Sequence, residues 1–213
     1  MLVSVSRTPL SPTPRTTVNR LRERAAADRA ALDDVLDSAL ICHLGFVRDD
    51  APVVLPTGYG RDGDTLYLHG STGTRSLRPG PVCVTVTIVD GIVYARSVFH
   101  HSMNYRSACV LGTTRLVDDP EEKLRGLEVV TEHLAPGSWD HARLPSRKEL
   151  AATAVLALDL TEASVKVRNG APGDDDEDIE ANTAWAGVLP VTMEWGVPES
   201  ASPLPVPEHV LKR

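Results

Sequence analysis

Apolar and polar residues alternate with two different periods along this chain. In residues 17–38 the apolar positions recur at helical spacing among Arg, Asp and Glu, which predicts an amphipathic helix. The segments 39–47, 53–59 and 65–69 are short apolar runs separated by turns rich in Asp, Gly and Pro, and they predict strands. The pattern therefore changes from helix to strand before residue 40.

The segments 82–89 and 92–99 flank the dipeptide Asp90-Gly91, which is the preferred filling of a two-residue type I′ turn. The pattern predicts a β-hairpin. A two-residue loop fixes the register, so Val82 should face Phe99 on the apolar side of the pair.

Further elements follow the predicted hairpin. The segment 106–117 predicts a strand with a bulge or bend at Gly112. Asp119 and Pro120 are typical of a helix start, and this helix should end near Leu134. The remaining segments predict strands at 154–160 and 163–168, a solvated acidic loop at 173–180 and a short strand within 185–195.

The element order predicts the fold class. Strands and helices do not alternate strictly, which argues against a parallel sheet and favours a mainly β antiparallel barrel with helices packed outside it. We expect one domain over residues 17–197, a disordered arm over 1–16 and a loosely attached Pro-rich tail over 198–213.

Charge and cysteine content narrow the partners and the compartment. A formal net charge of -7 argues against a nucleic-acid partner. Cys42, Cys83 and Cys109 lack C-x-x-C spacing, so we expect buried reduced thiols. There is no signal-peptide pattern, and no apolar run approaches the roughly 20 residues that span a bilayer. We therefore expect a cytoplasmic protein with no membrane partner.

A polar turn follows the strand that ends near His69. It offers backbone N–H groups, the hydroxyls of Ser71 and Thr72, and the guanidinium of Arg75. These groups are the parts of a phosphate-binding cradle. Turns of this composition are common, so an ordinary structural turn remains the alternative.

A second polar block, residues 96–107, contains two His, an Asn, a Tyr and two Arg. His100 and His101 are adjacent and cannot both face one side of a strand, and no third ligand stands at metal spacing, so we predict no metal site. An exposed loop remains the alternative for this block. No Ser-His-Asp, Walker-type or G-x-G-x-x-G pattern occurs, which argues against hydrolase and nucleotide-triphosphate functions.

Four blocks together resemble one family. Residues 67–75, the strand 82–87 with its Asp90-Gly91 dipeptide, residues 96–107 and residues 185–190 resemble, in the same order, the pyridoxamine-phosphate-oxidase-related FMN-binding split-barrel proteins of the nitroimidazole-reductase-like branch. The resemblance spans about residues 20–195. It implies a Greek-key split β-barrel of six to seven antiparallel strands with flanking helices. It also implies that FMN, or alternatively FAD, lies at the interface of a homodimer.

The resemblance assigns roles to individual residues. It implies that Ser71, Thr72, Arg75, Arg106 and Ser107 grip the flavin phosphate. His69 faces the flavin ring and is the candidate catalytic residue. The other implied flavin contacts are the main chain of Val54, Leu55, Pro56 and Thr57 along the ring edge, and Trp185 from the other subunit.

The chain also departs from pyridoxamine-phosphate oxidases. It has Thr74-Arg75 in place of an Arg-Lys pair and lacks an Arg-rich substrate site near its carboxyl end, which argues against pyridoxine chemistry. We expect a flavin-dependent oxidoreductase acting on a small molecule. Two alternatives stay open: a flavin-binding or flavin-sequestering protein without turnover, and a haem or tetrapyrrole binder with His100 or His101 as ligand.

Overall fold

A computed structural model describes residues 10, 13–26, 28–74 and 77–213. These residues form nine strands, six α-helices and two short 3-10 turns. The strands are β1 Ala25–Ala26, β2 Ile41–Arg48, β3 Ala51–Asp62, β4 Thr65–Ser71, β5 Gly80–Tyr94, β6 Ser102–Leu116, β7 Thr153–Asp159, β8 Ala163–Arg168 and β9 Gly187–Pro190. The helices are α1 Arg29–Ser38, α2 Pro120–Leu134, α3 Ser138–His141, α4 Arg147–Ala152, α5 Asp176–Ala181 and α6 Glu208–Leu211.

Six of the strands close a ring. The order β6-β7-β4-β3-β2-β5 returns to β6 through the β5–β6 pairing, and each pairing is antiparallel. β8 and β1 extend the sheet beyond β6, and β9 extends it beyond β5. The inward side chains form the main apolar core, which includes Leu44, Val84, Val110 and Leu156. The prediction of a mainly β antiparallel split barrel with flanking helices is confirmed.

The predicted hairpin at Asp90-Gly91 is wrong. β5 continues through both residues, and Val82 pairs with Gly112 of β6 while Phe99 is 86% exposed. Asp90 is the extra residue of a β-bulge opposite β6. Here β5 pairs with β6 on one edge and β9 on the other, and these two ladders override the local preference of the dipeptide for a turn.

No bulge interrupts the pairing at Gly112, because β5 and β6 stay in register there. The glycine serves packing instead. A Cβ at this position would lie 2.7 Å from Cδ1 of Leu158, so a larger residue would collide with β7.

The first helix is shorter than predicted. α1 begins at Arg29, where the Asp28 carboxylate accepts a hydrogen bond from the Ala30 N–H at 2.9 Å. Residues preceding that cap form β1, which pairs with Val165 and Lys166. The helix predicted at Asp119 is confirmed, and the Asp119 carboxylate accepts from the Glu122 N–H at 2.8 Å.

Both ends of the chain pack more closely than expected. Arg15 forms an ion pair with Glu162, and Thr16 is buried, so this part of the expected arm contacts the barrel. Residues 1–9, 11 and 12 lie outside the described residues. In the tail, the Arg213 guanidinium lies 4.2 Å from the Trp195 ring centroid, so the tail folds back on the chain.

The acidic segment predicted as a solvated loop contains α5. Next to it the side chain of Asp174 is only 2% exposed and accepts a charge-assisted hydrogen bond from Arg96 at 2.9 Å. An ion pair across 78 positions is invisible to local sequence patterns. Within the described ranges, no helix combines the length and apolarity needed to cross a membrane.

Candidate functional site

β3 and β4 pair over only part of their lengths, and we call the space between their unpaired parts the β3–β4 cleft. The two strands pair only from Tyr59 to Asp62 on β3. Residues 51–58 pair with β2 on one edge, and no strand of the described chain pairs with their other edge. β4 continues beside β7 to Ser71. Extending the β3–β4 register would place Pro56 across from Ser71, so the predicted ring-edge strand and the predicted phosphate turn follow the same end of this pairing.

The unpaired edge of β3 can bond a planar heterocycle through its main chain. A strand edge presents N–H and C=O groups in a row, and a ligand can use them as a neighbouring strand would. Successive residues of a strand point their main-chain groups to opposite edges, and Leu55 and Thr57 point theirs towards β2. Pro52 and Pro56 face the unpaired edge but lack an N–H, so in this stretch the donor is Val54 and the prolines supply C=O groups. The structure therefore gives this strand a free edge at which Val54 and Pro56, but not Leu55 and Thr57, present main-chain groups.

The turn after β4 offers hydroxyls rather than amides. The N–H groups of Thr72, Gly73 and Thr74 already donate, to Ala152 O at 2.9 Å, Ser71 Oγ at 3.2 Å and Ser71 O at 2.9 Å. The amides that were expected to form a phosphate cradle therefore already donate hydrogen bonds within the fold. The side chains of Ser71 and Thr72 are exposed and remain available to an anion. Arg75 lies outside the described residues.

Arg106 does not join this turn within one chain. Its guanidinium donates to Asp90 Oδ1 at 3.0 Å and to Asp34 Oδ2 at 3.0 Å, and these carboxylates raise the pKa of Arg106. β6 meets β7 only at Arg115 and Leu116. The stretch of β6 from Arg106 to Arg115 is about 30 Å long. Arg106 therefore lies far from the part of the barrel where β6 meets β7. Arg106 instead lines a separate cavity of about 770 Å³ beside the end of α1.

Part of the barrel surface carries exposed apolar residues. Residues of β2, β3, β5 and β6 that point outward form a surface that we call the outer face. They are Ile41, His43, Val47, Val54, Pro56, Cys83, Thr85, Ser107 and Cys109. Val47, Val54 and Ile41 are 71%, 62% and 50% exposed. Leu55 and Thr57 lie opposite Leu44 and Cys42, and so point to the other side of the sheet. Three of the predicted flavin contacts, Val54, Pro56 and Ser107, thus share a surface.

The cysteines only partly match the expectation of buried thiols. All three are free, but only Cys42 is fully buried, and burial raises its pKa to about 12. Cys83 and Cys109 are half-buried on the outer face, with their Sγ atoms 3.5 Å apart. The contact between the two thiols splits their titration, lowering the pKa of Cys83 and raising that of Cys109.

Trp185 lies outside the cleft in one chain. Its side chain is 68% exposed and its ring centroid is 5.8 Å from that of Tyr94, near the β5–β9 pairing. An exposed indole at this position is consistent with the expectation that it contacts a flavin held by another subunit, which remains a prediction.

His100 has carboxylate neighbours that the sequence did not reveal. The structure brings Asp175 and Asp178 close to it, with ligand atoms of all three residues within 4.8 Å of one another. His100 Nε2 lies 3.2 Å from Asp175 Oδ2, and His101 Nδ1 lies 3.1 Å from Ser97 O. Exposed acidic groups often gather without an ion, so we assign no metal here.

His69 faces a different space from the other predicted site residues. It lies on the side of β4 that packs against α2, and it lines a cavity of about 320 Å³ whose walls include Leu127, Trp139 and Leu144. Its Nδ1 atom is enclosed and has no hydrogen-bond partner among the described residues. Burial lowers the pKa of His69, which favours the neutral imidazole. None of the other predicted flavin-binding residues lines this cavity.

Comparison with known proteins identifies similar sequences and structures. A family model, pyridoxamine 5′-phosphate oxidase, matches residues 28–167. A comparison with curated proteins finds no match. The flavocytochrome Anf3 from Azotobacter vinelandii is 38% identical, with a TM-score of 0.88 over 96% of this chain and 98% of that chain.

Two further structures show different degrees of similarity. The FAD and heme binding protein from Mycobacterium smegmatis is 41% identical, with a TM-score of 0.84 over 89% of this chain and 96% of that chain. A candidate 5-nitroimidazole antibiotic resistance protein from Bacteroides thetaiotaomicron is 24% identical, with a TM-score of 0.59 over 67% of this chain and 86% of that chain. The last similarity concerns the fold alone.

Proposed function

Because the chain belongs to the pyridoxamine 5′-phosphate oxidase family, we propose that it is a flavin-binding redox protein that holds the flavin nucleotide in the β3–β4 cleft of a homodimer. The observation that carries this proposal is the edge of β3 that is left unpaired beyond the β3–β4 ladder. The bound flavin supplies one- or two-electron transfer to a small molecule, and the protein sets its orientation and access.

Different residues of the cleft bind the ring and the phosphate of the flavin. The main chain of Val54 and Pro56, at the unpaired edge of β3, holds the edge of the ring. The hydroxyls of Ser71 and Thr72 bind the phosphate together with Arg75. Arg106 is engaged by two carboxylates and serves the barrel instead. Ser107 and Trp185 lie away from this cleft in one chain. In the proposed homodimer, these two residues of the second copy contact the flavin.

Similar proteins favour FAD over FMN. The Mycobacterium smegmatis relative is described as binding FAD, and this chain is 41% identical to it. The family resemblance by itself implies FMN. The mass of the flavin released on denaturation distinguishes the two nucleotides.

The flavin site can be tested by substitution in the turn. We expect the double variant Thr72→Ala/Arg75→Ala to lose flavin, because the phosphate loses a hydroxyl donor and a cation; each charge-assisted hydrogen bond is worth about 1.5–3 kcal/mol. Flavin absorbance per folded protein measures the loss. Arg115→Ala is the matched control, since Arg115 is an exposed cation paired with Glu122. Equal flavin content in the double variant and the control would contradict the site.

Turnover separates an oxidoreductase from a flavin-sequestering protein. Anaerobic addition of NADH or NADPH, followed by a nitroaromatic or quinone acceptor, should bleach the flavin and then restore its colour. A flavin that none of these donors reduces favours sequestration.

A second cofactor is favoured by the same two relatives. The one from Azotobacter vinelandii is a flavocytochrome, and the one from Mycobacterium smegmatis binds heme as well as FAD. We therefore propose that this chain also binds haem. The cavity beside His69 supports this proposal because it combines an imidazole with several apolar side chains, the groups that would hold a haem. A Soret band in the purified protein, or after addition of hemin, tests this proposal.

A further inference from the structure

The seven histidines differ in what their rings contact. His100 pairs with Asp175, and His101 and His133 each contact a main-chain carbonyl oxygen. The rings of His141 and His209 contact each other at 4.9 Å.

The two remaining histidines differ in exposure. His43 is exposed on the outer face. Among the described residues, His69 is the histidine with an enclosed ring nitrogen that lacks a hydrogen-bond partner. An unpaired polar atom inside a protein costs stability unless a bound group or water satisfies it.

The cavity beside His69 has the chemistry of a tetrapyrrole site. Leu127, Trp139, Leu144 and Pro145 give it apolar walls from α2, α3 and the segment before α4. Its volume of about 320 Å³ is near the lower end of the roughly 300–1,000 Å³ usual for small-molecule pockets. Arg143 lines the same cavity and supplies a cation for a carboxylate.

A macrocycle with an apolar body and two carboxylates needs these three features together: apolar walls, a neutral nitrogen ligand and a cation. At present Arg143 donates to both carboxylate oxygens of Glu149 at 2.8 Å. An exposed pair of this kind is weak and can exchange for another carboxylate. The ring of His100 already has a partner, since its Nε2 lies 3.2 Å from Asp175 Oδ2.

We propose that His69 is an axial ligand of haem and that the cavity between β4, α2, α3 and α4 is the haem site. This inference rests on the haem binding proposed above. It assigns His69 to the haem rather than to the flavin ring, because His69 shares its cavity with none of the other predicted flavin contacts.

The experiment uses hemin as the probe and the full chain as the protein. Wild type and His69→Ala are purified, supplied with hemin, and compared by Soret absorbance per protein and by electron paramagnetic resonance of the ferric iron. We expect His69→Ala to lose the wild-type spectrum and added imidazole to restore it, because imidazole can occupy the space of the deleted ring. The flavin content of His69→Ala should equal that of wild type, which shows that the variant is folded.

Two further variants keep the test decisive. His100→Ala/His101→Ala should retain the wild-type spectrum. Leu144→Trp should block hemin while His69 is intact, since Leu144 lines the cavity and is 50% exposed, so the larger ring can enter without disturbing the core. Leu204→Trp, at a position that is 73% exposed and away from the cavity lining, is its control.

The outcomes distinguish the assignment of His69 as the haem ligand from the proposal that the chain binds haem. A wild-type spectrum in His69→Ala, or its loss in His100→Ala/His101→Ala, would overturn the His69 assignment and leave haem binding in place. Wild type that takes up no hemin would overturn both the assignment and haem binding, and the flavin proposal would stand on its own test.

Discussion

Arg106 shows how a residue can match a family motif and still have its charge engaged elsewhere. Its guanidinium contacts Asp90, which is the bulged residue of β5, and Asp34 of α1. The three residues are far apart in sequence, and their meeting depends on how α1 packs at the end of the barrel. Sequence patterns therefore indicated a cation but could not indicate which anion it binds.

The role of Arg106 predicts a loss of stability rather than a loss of flavin. Arg106→Ala leaves Asp90 and Asp34 without their shared cation, and the side chain is 28% exposed. We expect the free energy of unfolding to fall by about 1–2 kcal/mol. Urea unfolding of the purified protein measures this change.

The control for Arg106→Ala is Arg115→Ala, because Arg115 is 57% exposed in its pair with Glu122. It should cost less than about 1 kcal/mol. If Arg106→Ala instead unfolds like wild type and releases flavin, the phosphate role implied by the family resemblance would be the correct one.

The turn after β4 also differs from what its composition suggests. Its composition predicted amide donors for an anion, whereas the amides of Thr72, Gly73 and Thr74 are used within the fold. Only a structure reveals whether a donor is already engaged. The hydroxyls at the same positions carry the proposal instead.

Among the elements, α2 is placed by a glycine of β3. A Cβ at Gly60 would lie 2.5 Å from the Val129 carbonyl oxygen and 2.8 Å from the Val130 nitrogen. Both atoms are helix backbone, which cannot turn aside as a flexible side chain can. The close approach lets α2 bury Val129 and Val130 with Tyr67 and Val155 of the sheet.

Gly60→Ala should therefore displace α2. We expect the free energy of unfolding to fall by about 1–3 kcal/mol, the usual range for overpacking in a core. Gly170→Ala is the control, because a Cβ there has nothing within 4 Å. Thermal and urea unfolding of the two variants give the comparison, and equal stability would show that α2 can shift without cost.

The elements also show where local sequence signals suffice. The Asp119-Pro120 start of α2 and the strand Ala163–Arg168 are confirmed, because a cap and a period-two pattern act within a few residues. The Asp90-Gly91 hairpin failed because pairing with β6 and β9 outweighed a local turn preference. Half of the predicted first helix failed because β8 recruits Ala25 and Ala26 as a strand.

At the scale of the whole molecule, the family resemblance proved the strongest sequence signal. Its four blocks indicated the barrel, and the family is confirmed over residues 28–167. The cavity beside His69 was not predictable, because its far wall comes from α3, α4 and the segment between them. The placement of these short elements depends on packing contacts, which leave no periodic pattern in the sequence.

The outer face leads to a prediction about assembly. Isolated exposed apolar residues are ordinary, but Ile41, Val47 and Val54 lie on neighbouring strands of one surface. In the proposed homodimer these residues are covered, and the second copy completes the flavin site. We expect wild type to be a dimer and Ile41→Asp/Val47→Asp to be a monomer, because two unpaired carboxylates would be buried at the seam.

Light scattering after size-exclusion chromatography measures the mass, and flavin absorbance is recorded in the same run. The control is Val197→Asp, at a position that is 91% exposed and not on the outer face. Loss of dimer and loss of flavin should occur together in the double variant, since the proposed site needs contacts from both copies. A wild-type monomer that retains flavin would show that the flavin site is complete in one chain. A double variant that remains dimeric would show that the dimer uses another surface.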